Sequence, residues 1–144
     1  MIRISRLADY GVVVMCEISS NQGRTHSANS LSKKTNMSES AIMKILKLLA
    51  KSGLLDSIRG PKGGYFVTKD PKNINVLDVV SAIDGPVSVT ICSNDLHEAC
   101  EFKSACIAKR GWGVVNNALQ TTLSAFTIAD FITSDAKNKF SASY

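Results

Sequence analysis

The stretch "ESAIMKILKLLAK" at 39–51 constrains the fold most, because it specifies two opposed faces. Ile42, Ile45, Leu46 and Leu49 recur at i, i+3, i+4 and i+7, the period of one buried helical stripe. At about 100° per residue, Ser40, Lys44, Lys47 and Lys51 fall opposite that stripe, within an arc of roughly 60°. The segment needs a core on one side and presents cations to a polyanion on the other. Ser38 stands at the N-cap position, Glu39 just inside favours the positive helix end, and Gly53 is placed to stop the helix.

The flanking sequence extends this helix into a unit. "ANSLSKKTN" at 28–36 predicts a short helix ending near Asn36, and "NMS" is a tight connection, so the pair has helix-turn-helix proportions. A helix over about 5–19, with Leu7, Tyr10, Val14 and Ile18 along one stripe, completes a three-helix core. Behind the pair, "LLDSI" and "YFVT" are β-prone runs around "RGPKGG", where Pro61 and the glycines require a turn. A two-stranded ribbon behind a recognition helix is a wing, and its tip carries Arg59 and Lys62. Arginine there can enter a narrow minor groove or clamp phosphate, and the glycines, Gly60 among them, let the backbone approach the sugar-phosphate closely. A nucleotide-cradling loop is a weaker reading, since no Gly-Lys-Ser/Thr end appears and no helix follows at once.

Charge is divided along the chain. Residues 1–70 hold eleven Lys/Arg and five Asp/Glu, a balance of +6, whereas residues 71–144 hold six and seven, a balance of −1. The organisation expected is a winged helix-turn-helix region over 1–70, followed over 71–144 by a linker helix, a cysteine loop, a dimerisation helix and a polar tail. The fold class is mainly α with a small β-wing. No long apolar run or signal-peptide pattern is present, which places the protein in the cytoplasm with no membrane partner. Of four cysteines, Cys92, Cys100 and Cys106 crowd into "CSNDLHEACEFKSAC", and in a reducing compartment that favours a bound metal over disulfides. Cys16 reads as a small core residue of the first helix.

"ISRLADYGV" at 4–12, "RGPKGGY" at 59–65, "VLDVVSAIDGP" at 76–86 and the cysteine triad together resemble the Rrf2 family of bacterial winged-helix regulators. That family includes iron-sulfur and nitric-oxide sensors of the IscR and NsrR types, and the opening segment is similar to the subgroup that regulates the SUF iron-sulfur assembly operon. The resemblance covers about residues 1–130. It implies a homodimer on palindromic double-stranded operator DNA, with a cluster controlling DNA binding in the cysteine-bearing members. Position by position, Ser38, Ser40 and Lys44 match the family's base-reading stretch, and Arg59, Gly60, Pro61 and Lys62 match its wing. Lys44 can donate to guanine, the serines to base edges or phosphate, and Lys47 to the DNA backbone. Ser38 also reads simply as a cap.

Seven and five residues separate Cys92, Cys100 and Cys106, too wide for the paired knuckles of structural zinc. Soft thiolates in a polar loop suit an iron-sulfur cluster, either 2Fe–2S or 4Fe–4S. Three cysteines leave a ligand to find. Asp9, in "RLADYG", matches the position from which some family members donate a carboxylate across the dimer. His97 is the second choice, and Glu98 and Glu101 lie in the same loop. The first gap is longer than the family's usual five residues, and Lys109 stands where IscR-like members place a histidine.

Val76, Val79, Val80 and Ile83 predict a helix joining the wing to the cysteine loop. Ala108, Trp112, Val115, Leu119, Thr122 and Phe126 mark a long amphipathic helix over about 106–126, whose stripe is expected to pair with a second subunit. The tail from Ser134 to Tyr144 is expected to fray. The resulting expectation is a repressor of iron-sulfur assembly genes whose cluster sets the separation of two recognition helices. A metal-free thiol switch at the same cysteines is the alternative. An enzyme is disfavoured, because His26 and His97 are the only histidines and no catalytic base is supplied.

Overall fold

The computed structural model describes residues 3–90, 93 and 106–133. Six helices and one ribbon follow in the order α1 (Arg6–Ser19), α2 (Ala28–Thr35), α3 (Glu39–Lys51), β1 (Leu55–Ile58), β2 (Gly64–Val67), α4 (Val76–Asp84), α5 (Lys109–Ala125) and α6 (Ile128–Thr133). A 3-10 turn at Pro71–Asn73 precedes α4.

Side-chain caps start the helices where small polar residues stand. Ser5, Ser27, Ser38 and Asn75 each accept a backbone N–H three residues ahead, which satisfies one orphan donor at the head of α1, α2, α3 and α4. Asn36 ends α2 in the left-handed region at φ 58°, and Gly53 turns the chain after α3 at φ 77°. The connection between α2 and α3 is therefore as tight as the sequence predicts.

One apolar core runs through the described chain. Val14, Met15 and Ile18 of α1, Leu31 of α2 and Ile42, Ile45, Leu46 and Leu49 of α3 are buried together with Ile74, Val79 and Ile128. Helix α1 is central, packing on α3, α4 and α6. Gly11 lies at its approach to α4, where an added Cβ would meet the tip of the Ile83 side chain and make it shift. The head of α1 is held to the tail of α4 as well: the Ser5 hydroxyl donates to Asp84 Oδ1 at 2.7 Å and the Ser5 N–H to Oδ2 at 3.4 Å.

The ribbon is antiparallel, pairing Leu55 with Val67 and Ile58 with Gly64. His26, expected in a loop, instead adds a third short rung. Its N–H donates to the Tyr65 carbonyl at 2.8 Å and the Tyr65 N–H returns to the His26 carbonyl at 2.9 Å. The side chain is only 6% exposed, so this histidine belongs to the base of the wing.

Helix α6 has no counterpart in the sequence reading, although its signal was present. Thr127 and Asp130 form a reciprocal cap: the Thr127 N–H donates to Asp130 Oδ2 at 2.7 Å, and the Asp130 N–H to the Thr127 hydroxyl at 3.3 Å. Two backbone bonds then fasten this end of the chain to the start of α4, Val76 N–H to the Phe126 carbonyl and Ile128 N–H to the Ile74 carbonyl, each at 2.8 Å.

Candidate nucleic-acid interface and the cysteine loop anchor

Two elements bring the predicted DNA-facing residues to the surface. On α3, Ser38, Ser40, Lys44, Lys47 and Lys51 are all exposed, while the apolar stripe beneath them is fully buried. Ser38 is a cap in the structure, accepting the Ala41 N–H at 3.3 Å, and its hydroxyl also lies 3.3 Å from that of Ser40. A hydroxyl oxygen has a second lone pair and a rotatable proton, so capping leaves it able to meet a base edge or phosphate. At the wing, Arg59, Gly60, Pro61 and Lys62 are exposed around a tight turn closed by the Gly63 N–H to Gly60 carbonyl bond at 2.9 Å. Pro61 takes the turn position that its ring favours.

The wing glycines divide by role. A Cβ at Gly63 would strike the Ile58 carbonyl, and one at Gly64 would lie 2.7 Å from the His26 carbonyl oxygen. These two are needed by the ribbon itself. Gly60 at φ 119° faces open space. The Thr25 hydroxyl donates to the Lys62 carbonyl at 3.1 Å, tying the tip back to the chain ahead of α2. Not every cation is available: Lys34 Nζ lies 2.6 Å from Glu17 Oε1, turned back toward α1.

The chain on either side of the cysteine loop is fastened to α5. The Val89 N–H donates to Asn116 Oδ1 at 3.1 Å, and Gln120 Nε2 donates to the Val87 carbonyl at 2.8 Å. Asn116 is 4% exposed, so its polar group is bought with that backbone contact. At the other side Cys106 stands in the turn ahead of α5, two residues from its start, and its carbonyl accepts the Lys109 N–H at 3.3 Å. Cys106 is half-buried and free of disulfide. Cys92, Cys100 and the alternatives His97, Glu98 and Glu101 lie outside the described residues.

Asp9 is exposed in the first turn of α1. It lines a groove of about 440 Å³ with Arg3, Ile4, Arg6, Val12 and Phe131. Among the described residues no group of three or more His, Cys, Asp or Glu side chains is gathered to hold a metal. Cys16 is partly buried against the core, and desolvation pushes its thiol up to about 11, so it stays protonated and is a poor ligand at neutral pH.

Helix α5 is shorter than predicted, and only part of its stripe faces outward. Leu123 and Phe126 pack against the chain's own core, whereas Trp112 and Val115 are exposed together with Val114 and Ile107. Helix α5 packs against α4.

A family model described as Rrf2, iron-dependent transcriptional regulator, matches residues 4–134. The chain belongs to the Rrf2 family. Its relatives include the HTH-type transcriptional regulator IscR of Photorhabdus laumondii, 28% identical over 132 residues that cover 90% of this chain and 79% of the relative. Among solved structures, CymR, the global cysteine regulator of B. subtilis, is similar with a TM-score of 0.74 at 29% identity, covering 93% of this chain and 98% of that one. IscR of T. potens shares the fold with a TM-score of 0.69 at 24% identity, covering 95% and 90%. As an Rrf2 protein the chain is a DNA-binding transcriptional regulator of winged-helix fold, and its relatives are regulators rather than enzymes. No described helix is long and apolar enough to cross a membrane.

Proposed function

We propose that this Rrf2 regulator is a cytoplasmic homodimeric repressor of iron-sulfur assembly genes whose hold on palindromic operator DNA depends on an iron-sulfur cluster. The assigned ligands are Cys92, Cys100, Cys106 and, from the other subunit, Asp9. The observation that carries the reading is the set of attachments on α5: Asn116 and Gln120 grip the approach to Cys92, and the Cys106 carbonyl, in the turn just ahead of the helix, accepts the N–H of its first residue, Lys109. Any rearrangement of the loop is thus delivered to one rigid element.

The donor set fits such a group. Cys106 is an unbridged thiol at the edge of a polar loop, and the Asp9 carboxylate has no hydrogen bond or ion pair among the described residues. When bound, a cluster supplies a removable crosslink sensitive to iron and oxidants. The rest is work for the protein's own residues. Leu123 packs against the core, α5 packs on α4, α4 meets α1 at the Gly11–Ile83 contact, and α1 packs on α3. Ser38, Ser40 and Lys44 read base edges, Lys47 holds the backbone, and Arg59 to Lys62 engage the flanking groove. Half-sites roughly 34–36 Å apart are matched only when the two recognition helices have the corresponding separation, so a shift of population becomes a shift of affinity.

Anaerobic purification tests the reading. The expected result is a brown protein containing iron and acid-labile sulfide, with absorption lost in Cys106→Ala and altered in Asp9→Ala. An unaltered spectrum in Asp9→Ala, with a change in His97→Ala, transfers the fourth position to His97. A second reading is favoured by the likeness to the B. subtilis global cysteine regulator: a metal-free thiol switch at the same cysteines. A colourless anaerobic protein that releases operator DNA on oxidation, and recovers with reductant, establishes that reading instead.

A further inference from the structure

The polar face of α3 contains one side chain that cannot serve a phosphate. Met43 is 36% exposed, and it is the large exposed apolar residue of this helix. It stands in the N-terminal half of α3, the part of a recognition helix that meets base edges. By helical geometry it projects about 40° from Lys47 and about 60° from Ser40, on the flank of the basic face. The contrast with Met37 is informative: Met37 packs against the core cluster, whereas Met43 is not among the residues that do.

A thioether offers no hydrogen-bond donor and only a weak acceptor, so Met43 gains nothing from the sugar-phosphate backbone or from the donors and acceptors of guanine, cytosine and adenine. The major-groove edge of the bases presents one apolar group, the C5-methyl of thymine. Methionine suits that target, being long, unbranched and polarizable enough to settle on a methyl without exact prior fit. We propose that Met43 is a specificity-determining residue that selects thymine at one position of each operator half-site by covering its methyl group. This inference rests on the reading of α3 as the DNA-reading helix, and it adds a base preference that the serines and lysines do not supply.

The test separates the two ideas. Full-length protein, purified anaerobically, is first used to enrich sequences from a pool of duplexes with a randomised centre. The best duplex is then resynthesised with deoxyuridine replacing thymine one position at a time, which removes only the methyl, and affinities are read by fluorescence anisotropy. The expected result is one thymine per half-site whose replacement weakens wild-type binding about fourfold, the worth of one buried methyl. Met43→Gln binds the thymine and deoxyuridine duplexes equally, and Met43→Leu retains the preference. Indifference of the wild type to every methyl, or a wild-type preference preserved in Met43→Gln, overturns the assignment while leaving α3 a DNA reader. Failure of the wild type to enrich any sequence overturns the reading of α3 and the assignment together.

Discussion

The buried side chain of Asn116 takes the Val89 N–H on its amide oxygen at 3.1 Å, joining the helix that follows Cys106 to the stretch that runs toward Cys92. A polar residue in this place has a structural reason, which it shares with Gln120 one turn along α5. It converts a helix face into an anchor for backbone that would otherwise be unpaired.

Replacing Asn116 by Leu keeps the approximate size of the side chain, raises its helix propensity and leaves the Val89 N–H without that acceptor. The expected cost is about 1–3 kcal/mol of unfolding free energy, measured by urea titration. Hydrogen exchange at Val89 should accelerate in the variant while the amides in the middle of α3 remain protected. Equal acceleration at both places would mean that the bond supports the whole fold rather than the loop.

The thiol of Cys16 yields a pH dependence of known sign. Burial pushes it from 9.0 to about 11, so the folded chain holds its proton more tightly than the unfolded chain. Its contribution is intact below about pH 9 and is lost as pH rises through about 11. The melting temperature of Cys16→Val should therefore fall less steeply across that window than that of the wild type. Parallel curves for the two proteins would contradict the assignment.

Two glycines of the wing compare collision added to backbone strain with backbone strain alone. Gly64→Ala places a methyl 2.7 Å from the His26 carbonyl oxygen, at a residue whose φ is 156°, and must push the ribbon away from its third rung. Gly60→Ala meets no neighbouring atom but sits at φ 119°. The first should cost about 1–3 kcal/mol from overpacking and conformation together, the second about 1 kcal/mol from conformation alone. Thermal melts of both variants rank them, and the reverse order would show that the His26 contact yields easily.

Salt titration of DNA binding distinguishes the lysines. Lys47→Ala should weaken binding to all sequences alike and reduce the slope of log affinity against log salt by about 0.9 for each phosphate released. Lys34→Ala should leave the slope unchanged, because Lys34 is turned toward Glu17 at 2.6 Å. A matching loss of slope in both variants would place α2 on the phosphate backbone alongside α3.

The local content of the fold was legible because its signals lie within a few residues of what they control. Ser38 caps the helix whose spacing of Ile42, Ile45, Leu46 and Leu49 announces a core face, and Pro61 with its flanking glycines turns the wing. Even α6 was written in Thr127 and Asp130, a cap that the sequence reading passed over. The basic face of α3 followed from helical periodicity alone, since exposure of Lys44 and Lys47 is the geometric complement of burying the stripe.

Tertiary structure decided the rest, because those relationships join residues far apart in the chain. His26 is polar and lies between helices, and only the return of β2 at Tyr65 makes it a buried rung of the wing. The outward stripe predicted for α5 is divided between solvent and the chain's own core by its packing on α4, which no periodicity within α5 encodes. The union of Asn116 with Val89 likewise joins residues far apart in sequence: spacing can say that a helix has two faces, but which backbone comes to lie against one of them is settled by packing.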